Sequence, residues 1–311
     1  MIYLIVFIIV FVLFLYSYAP EIDSKQLIQK WQTSDSKFID INGLKVHYHD
    51  QGNDDSDVLI MLHGLSASSY TWENLNQYLA NDYRIISLDL PGFGLTGPWP
   101  NSQDYRTLHY QQFVELFIKK LGLKRYSLVG NSFGGEIAWR IAKHNPLHVN
   151  KLILINATCR PAPYSKRLLA WQIAAIPIPT VILRNILPKF IIKLSLQKGL
   201  AQKNKVTSAM INNYDHMTRR KGNREALVLL LKQYQFHAST FSKEKLITPT
   251  YILWGDKDNI IPFEFCNEFA IHSECHHIKK MKGLGHIPQE ENPQTMAKYL
   301  KSFLKHEIIN D

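Results

Sequence analysis

Short apolar runs alternate along the chain with longer stretches in which apolar positions recur at helical spacing. Residues 58–62 and 84–89 are near-continuous in aliphatic and branched side chains, and 126–129, 151–155, 250–254 and 276–280 also read as short strands. Runs of that length and composition suit strands buried on both faces. Between and after them the spacing predicts helices at about 70–79, 108–121, 133–143, 263–269 and 293–305. Ahead of the first run, residues 38–49 alternate around Asn42-Gly43, which predicts a β-hairpin with a two-residue turn. Repeated strand–helix units imply an α/β fold with a mostly parallel central sheet flanked by helices.

Two segments depart from this alternation. Residues 1–19 (MIYLIVFIIVFVLFLYSYA) carry no charged side chain, and as a helix rising about 1.5 Å per residue they would span roughly 28 Å, close to the hydrocarbon thickness of a bilayer. That predicts a single-pass N-terminal transmembrane anchor. A cleaved signal peptide is the rival reading, because Ser17-Tyr18-Ala19 has the small-x-small pattern of a cleavage site. The length of the run, the missing basic residues before it and Pro20 after it favour the anchor. Lys25, Lys30 and Lys37 follow the run with no Lys or Arg ahead of it, which inclines the globular part toward the cytoplasmic side. Residues 20–37 are polar and read as a stalk or a short surface helix. The second departure is 159–245, helical in flavour but broken by Pro177, Pro179 and Pro188. It divides the α/β pattern into 38–158 and 246–311.

Composition sharpens the picture. With 46% hydrophobic and 20% charged residues in 311, a packed core is expected, and disorder and coiled coil are excluded. The formal net charge of +10 would admit nucleic acid as a partner, but the charge is not evenly spread. From Arg160 to Lys245 there are 16 Lys and Arg against 3 Asp and Glu, so the rest of the chain is slightly acidic. Basic residues interleaved with apolar ones point to a membrane surface or anionic lipid and away from nucleic acid. Cys159, Cys266 and Cys275 are too few for a disulfide scaffold, although a Cys266–Cys275 bridge stays open in an oxidising compartment. The histidines, His276 and His277 included, show no metal-ligand spacing, so neither metal nor cofactor is expected.

The chemistry is concentrated in three turns. Gly130-Asn-Ser132-Phe133-Gly134-Gly135 falls between a strand and a helix, where a sharp turn thrusts the serine clear of the sheet and small neighbours let the backbone pass. A serine hydroxyl is a poor nucleophile at neutral pH and needs a base, which needs a group to orient it. Downstream, Trp254-Gly-Asp256-Lys-Asp258-Asn-Ile-Ile-Pro262 ends a strand with two carboxylates, and Gly283-Leu-Gly285-His286-Ile-Pro288 follows the last strand with a histidine.

With His63-Gly64-Leu65 and the Asp89-Leu-Pro-Gly-Phe-Gly94 turn, these motifs occur in the order found in the α/β-hydrolase superfamily, which the chain resembles over roughly 38–305 apart from the interruption. The resemblance implies Ser132 as nucleophile, His286 as base and Asp258 as the acid that orients it. Asp256 is then a turn-former, and Asn156 stands where some relatives place the acid. The resemblance also implies an oxyanion hole of the Leu65 and Phe133 backbone amides, with Gly130 and Gly134 shaping the elbow and His63 in a structural role. It makes 159–245 a helical cap over the site. An ordinary cap has an apolar underside and a basic, solvated outside; the sharper alternative is that it also touches anionic lipid.

A serine at the elbow argues against haloalkane dehalogenase and epoxide hydrolase chemistry, which on this fold uses a carboxylate nucleophile. The expected activity is cleavage of carboxylic esters, in the manner of membrane-anchored carboxylesterases or monoacylglycerol lipases. A carbon–carbon hydrolase of ring-cleavage products and a thioesterase are the alternatives. The expected partner is a small-molecule or lipid ester.

Overall fold

The protein is described by a computed structural model over residues 2–159, 176, 179–234, 241 and 244–305. Eight strands form one sheet: β1 (Ser36–Ile41), β2 (Leu44–Gln51), β3 (Val58–Leu62), β4 (Arg84–Leu88), β5 (Tyr126–Asn131), β6 (Val149–Ile155), β7 (Thr250–Gly255) and β8 (His276–Met281). Their order is β1-β2-β4-β3-β5-β6-β7-β8, antiparallel at β1/β2 and β2/β4 and parallel everywhere else. Ile41 faces Leu44 across the hairpin, and Asn42 and Gly43 both take positive φ, the two-residue turn that matches strand twist.

The described helices are α1 (Ile2–Ser17), α2 (Ser24–Trp31), α3 (Glu73–Leu79), α4 (Thr107–Lys120), α5 (Phe133–His144), α6 (Thr180–Asn185), α7 (Lys189–Gly199), α8 (Ser208–Arg219), α9 (Asn223–Gln233), α10 (Cys266–Ile271), α11 (Pro288–Glu291) and α12 (Pro293–Leu304). Strand β3 explains the apolar runs. Ile60 and Leu62 pack on the α4, α5 and α10 side, while Leu59 and Met61 pack on the α3 and α12 side, so both faces are buried. The expected helix at 70–79 is a 3₁₀ turn, Ser69–Trp72, leading into α3.

The order in which strands are added to the sheet reverses at β3, whose neighbours on either side are β4 and β5, both parallel to it. The carboxyl ends of β3 and β5 therefore border the crevice at which open α/β sheets place their ligands. The Asp89 turn is stitched beneath it. The Asp89 carboxylate accepts from Ser69 N at 2.7 Å, Leu95 N at 2.7 Å and His47 Nδ1 at 2.8 Å, all buried. Burial alone would push this carboxyl up, but the charge and hydrogen bond of His47 outweigh it and hold it far below the usual range. Asp89→Ala should cost about 3 kcal/mol by stranding these buried donors, read as a lower urea midpoint with unchanged slope.

The transmembrane anchor expected over 1–19 is not what the structure contains. Helix α1 is 16 residues long, about 24 Å against a hydrocarbon core of about 30 Å. Among the described residues no helix is long and apolar enough to cross a membrane. Helical geometry ends where the chain meets the helices within 179–234, the segment expected to cap the site: Tyr18 bridges Ile186, Ala19 N donates to Asn185 O at 2.7 Å, and Leu187 N donates to Ser17 O at 3.0 Å.

The segment that follows is sewn to the cap as well. Ile22 N donates to Arg219 O, Lys221 N to Ile22 O, Arg219 Nε to Pro20 O and Arg224 Nη1 to Ala19 O. Leu27 of α2 is buried against Leu95 and Met217. Cys266 is buried and Cys275 exposed, and no bridge joins them; Cys159 is a buried thiol.

Candidate active site

Ser132 sits between β5 and α5 with φ +54° and ψ −118°, a conformation that L residues rarely adopt. The neighbouring glycines make it attainable. A Cβ on Gly130 would drive into the Gly134 carbonyl, and one on Gly134 would drive into the Leu62 carbonyl. The Gly64–Leu65 turn packs directly over the serine, since a Cβ at Gly64 would lie 3.0 Å from Ser132 Cβ. Phe133 opens α5, and a first-turn amide has no carbonyl partner within its own helix. Amides of Leu65 and Phe133 thus belong to the two turns that flank Ser132.

Parallel pairing of β6 with β7 brings the acid turn alongside. His286 Nδ1 lies 2.8 Å from Asp258 Oδ2. The second carboxylate oxygen accepts from Ile260 N at 2.7 Å and Ile261 N at 2.9 Å. Burial pushes the Asp258 carboxyl up, but the charge and hydrogen bond of His286 and these two amides outweigh it, holding the group below the ordinary carboxylate range. Asp256 instead accepts from Gly283 N at 2.7 Å, closing the turn beside it. His63 is fully buried with both ring nitrogens used: Nδ1 donates to Gly64 O at 2.7 Å and Nε2 accepts from Leu90 N at 3.0 Å. Burial pushes its pKa down, which keeps the ring neutral.

Sequence reasoning missed three supports. Asn156, also at positive φ, donates from Nδ2 to Asp258 Oδ2 at 2.7 Å, the same oxygen that meets His286. Its place at the end of β6 was visible, but its contact with the acid was not. Asn131 Nδ2 donates to the His286 carbonyl at 3.0 Å, tying the base turn to the elbow. Buried Glu291 accepts from Gly285 N at 2.7 Å and Gln202 N at 2.8 Å, joining the base turn to the cap.

Ser132 and His286 open onto one cavity of about 190 Å³. Its remaining walls are mostly apolar, with Leu187, Ile191, Ile192 and Leu196 from the cap facing Ile260, Ile261 and Ile287 from the core. Tyr214 and Tyr234 add hydroxyls and fasten the cap. Tyr214 OH donates to Glu290 at 2.6 Å, and Tyr234 OH donates to Glu136 at 2.7 Å. Among the described lining residues none is Asp, Glu, Lys or Arg.

A parallel sheet with a strained serine at its switch point, facing a histidine braced by a buried carboxylate, defines a hydrolase-type α/β protein. Residues 57–293 match the alpha/beta hydrolase fold family, and the chain belongs to it. It is 23% identical over 295 residues to epoxide hydrolase 2 of Caenorhabditis elegans, covering 87% of this chain and 80% of that protein. It is 28% identical over 290 residues to a 2-hydroxy-6-oxononadienedioate/2-hydroxy-6-oxononatrienedioate hydrolase of Pseudomonas sp, covering 88% and 98%. Among solved structures, a bacterial membrane phospholipase A superposes with a TM-score of 0.73 at 23% identity, covering 91% of this chain and 92% of the other.

Proposed function

We propose that the chain is a serine hydrolase of uncharged carboxylic esters whose acyl part lodges in the apolar cavity, held at a membrane through α1. The observation that carries the reading is the cavity itself. Ser132 and His286 open into walls that are mostly apolar, with no Asp, Glu, Lys or Arg among the described lining residues.

In this reading Ser132 Oγ attacks the ester carbonyl and His286 Nε2 takes its proton. Asp258 keeps the Nδ1 proton facing away from the serine and stabilises the imidazolium. The Leu65 and Phe133 amides receive the developing oxyanion. Collapse expels the alcohol with the proton from His286, and water then repeats the sequence on the acyl-enzyme. Epoxide opening through an alkyl ester needs a carboxylate where this chain has Ser132. A dienedioate brings two carboxylates, and burying them against Ile191, Ile192 and Leu196 without a cation is strongly unfavourable.

Attachment through α1 is supported by its surface. It has no charged residue, and Tyr3, Leu4, Phe7, Ile8, Phe11, Leu15 and Tyr16 are all exposed. Such a helix is stable in water only at a large hydrophobic cost.

A series of p-nitrophenyl esters of rising acyl length, set against a dienedioate ring-fission product, tests the activity. Hydrolysis of the esters with an optimum at a medium chain is expected. Turnover of the dienedioate alone would overturn the reading.

A further inference from the structure

Helix α7 is apolar on two sides. Ile191, Ile192 and Leu196 line the catalytic cavity, whereas Phe190 and Leu194 point outward and are 45% and 54% exposed. On the preceding helix, Val181 and Ile182 are likewise exposed. Large apolar side chains are therefore displayed on the outside of the cap, one helix thickness from the cavity. Lys189 and Lys193 are exposed among them, as is Arg184, whose charge is paired with Glu225 at 2.8 Å.

The uncharged helix α1 is fixed at the same place. The Tyr18–Ile186 bridge and the Ala19–Asn185 and Leu187–Ser17 hydrogen bonds set its end against the α6–α7 junction. Whatever apolar medium receives α1 lies beside the outer face of α6 and α7.

We propose that this face docks onto an anionic phospholipid bilayer. Phe190, Leu194, Val181 and Ile182 enter the acyl boundary, and Lys189 and Lys193 meet lipid headgroups, so that among the described residues α7 separates the bilayer from the acyl cavity. Resting on the ester-hydrolase reading, this makes the substrate an ester already dissolved in that bilayer. A second copy of the chain is a poorer occupant. A two-fold contact sets the same patch against itself and gathers the Lys189 and Lys193 cations of both copies in one contact.

The test uses the full chain in two measurements. In a Cys275→Ser background, which removes the exposed thiol, Phe190→Cys labelled with bimane should shift its emission to the blue on vesicles containing phosphatidylglycerol. It should not shift on phosphatidylcholine alone. Separately, Phe190→Ser/Leu194→Ser should hydrolyse a soluble short-chain ester within about twofold of the parent, yet lose roughly tenfold or more on an ester embedded in phosphatidylglycerol vesicles.

Absence of the bimane shift, or equal rates on embedded ester, overturns the docking proposal. So does a dimer that the double substitution dissolves while the embedded-ester rate stays the same. A bimane shift from a chain that hydrolyses no ester overturns the enzymatic reading and leaves the docking face standing, so the two failures are distinguishable.

Discussion

Ser132→Ala should leave a folded protein whose kcat on p-nitrophenyl esters is lower by roughly 10⁴- to 10⁶-fold, the range seen when the nucleophile of a serine–histidine–acid unit is removed. The strained backbone at 132 belongs to the turn, and Gly130 and Gly134 pass alanine's Cβ as readily as serine's. The thermal midpoint should therefore move little. A fluorophosphonate probe, which reacts only with an activated serine, should label the parent and not the variant. Labelling that survives the substitution would place the nucleophile elsewhere.

Asp258→Asn has the next largest expected effect. The introduced carboxamide can still receive the Ile260 and Ile261 amides on its oxygen, but its NH₂ then faces both His286 Nδ1 and the Asn156 amide, two groups that also donate. Relief requires the imidazole to move its proton to the nitrogen facing the serine, where it can no longer act as a base. Loss of kcat by about 10⁴-fold is expected, with KM nearly unchanged.

The substitution also has a pH signature. The folded-state pKa of Asp258 lies below its unfolded value, so its contribution to stability is fully present above the ordinary carboxylate pKa of about 4 and is lost as pH falls through the lower folded value. Urea midpoints measured from neutral pH down through this window should fall less steeply for the variant than for the parent. Asp89 follows the same sign and remains in both, so the variant keeps part of its acid sensitivity.

Much of this site was legible because its requirements are local. The elbow demands small residues two positions either side of Ser132, the hairpin demands positive φ at Asn42 and Gly43, and two-sided burial of β3 demands an unbroken apolar run. Contacts made by register were not legible. Asn156 reaches Asp258 only because β6 lies parallel to β7, with Ile155 opposite Leu253. Tyr214 and Tyr234 reach the cavity because cap helices pack as they do, and no spacing announces it. The apolar run at 1–19 was legible in composition and misleading in extent, because the residues after Ser17 pair with the cap and do not continue the helix. Trp171, an apolar residue of the 159–245 segment, lies outside the described residues.

The stitching of residues 18–22 has a mechanical meaning. An ordinary tether limits how far a domain can drift and leaves it free to tumble. Here the chain leaving α1 is bonded to the α6–α7 junction on one side and to Arg219, Lys221 and Arg224 on the other. Tumbling about α1 would break those bonds, whereas the cap and residues 18–22 move as one piece. Whatever holds α1 thus fixes the heading of the cap, and with it the cavity wall that Leu187, Ile191, Ile192 and Leu196 supply.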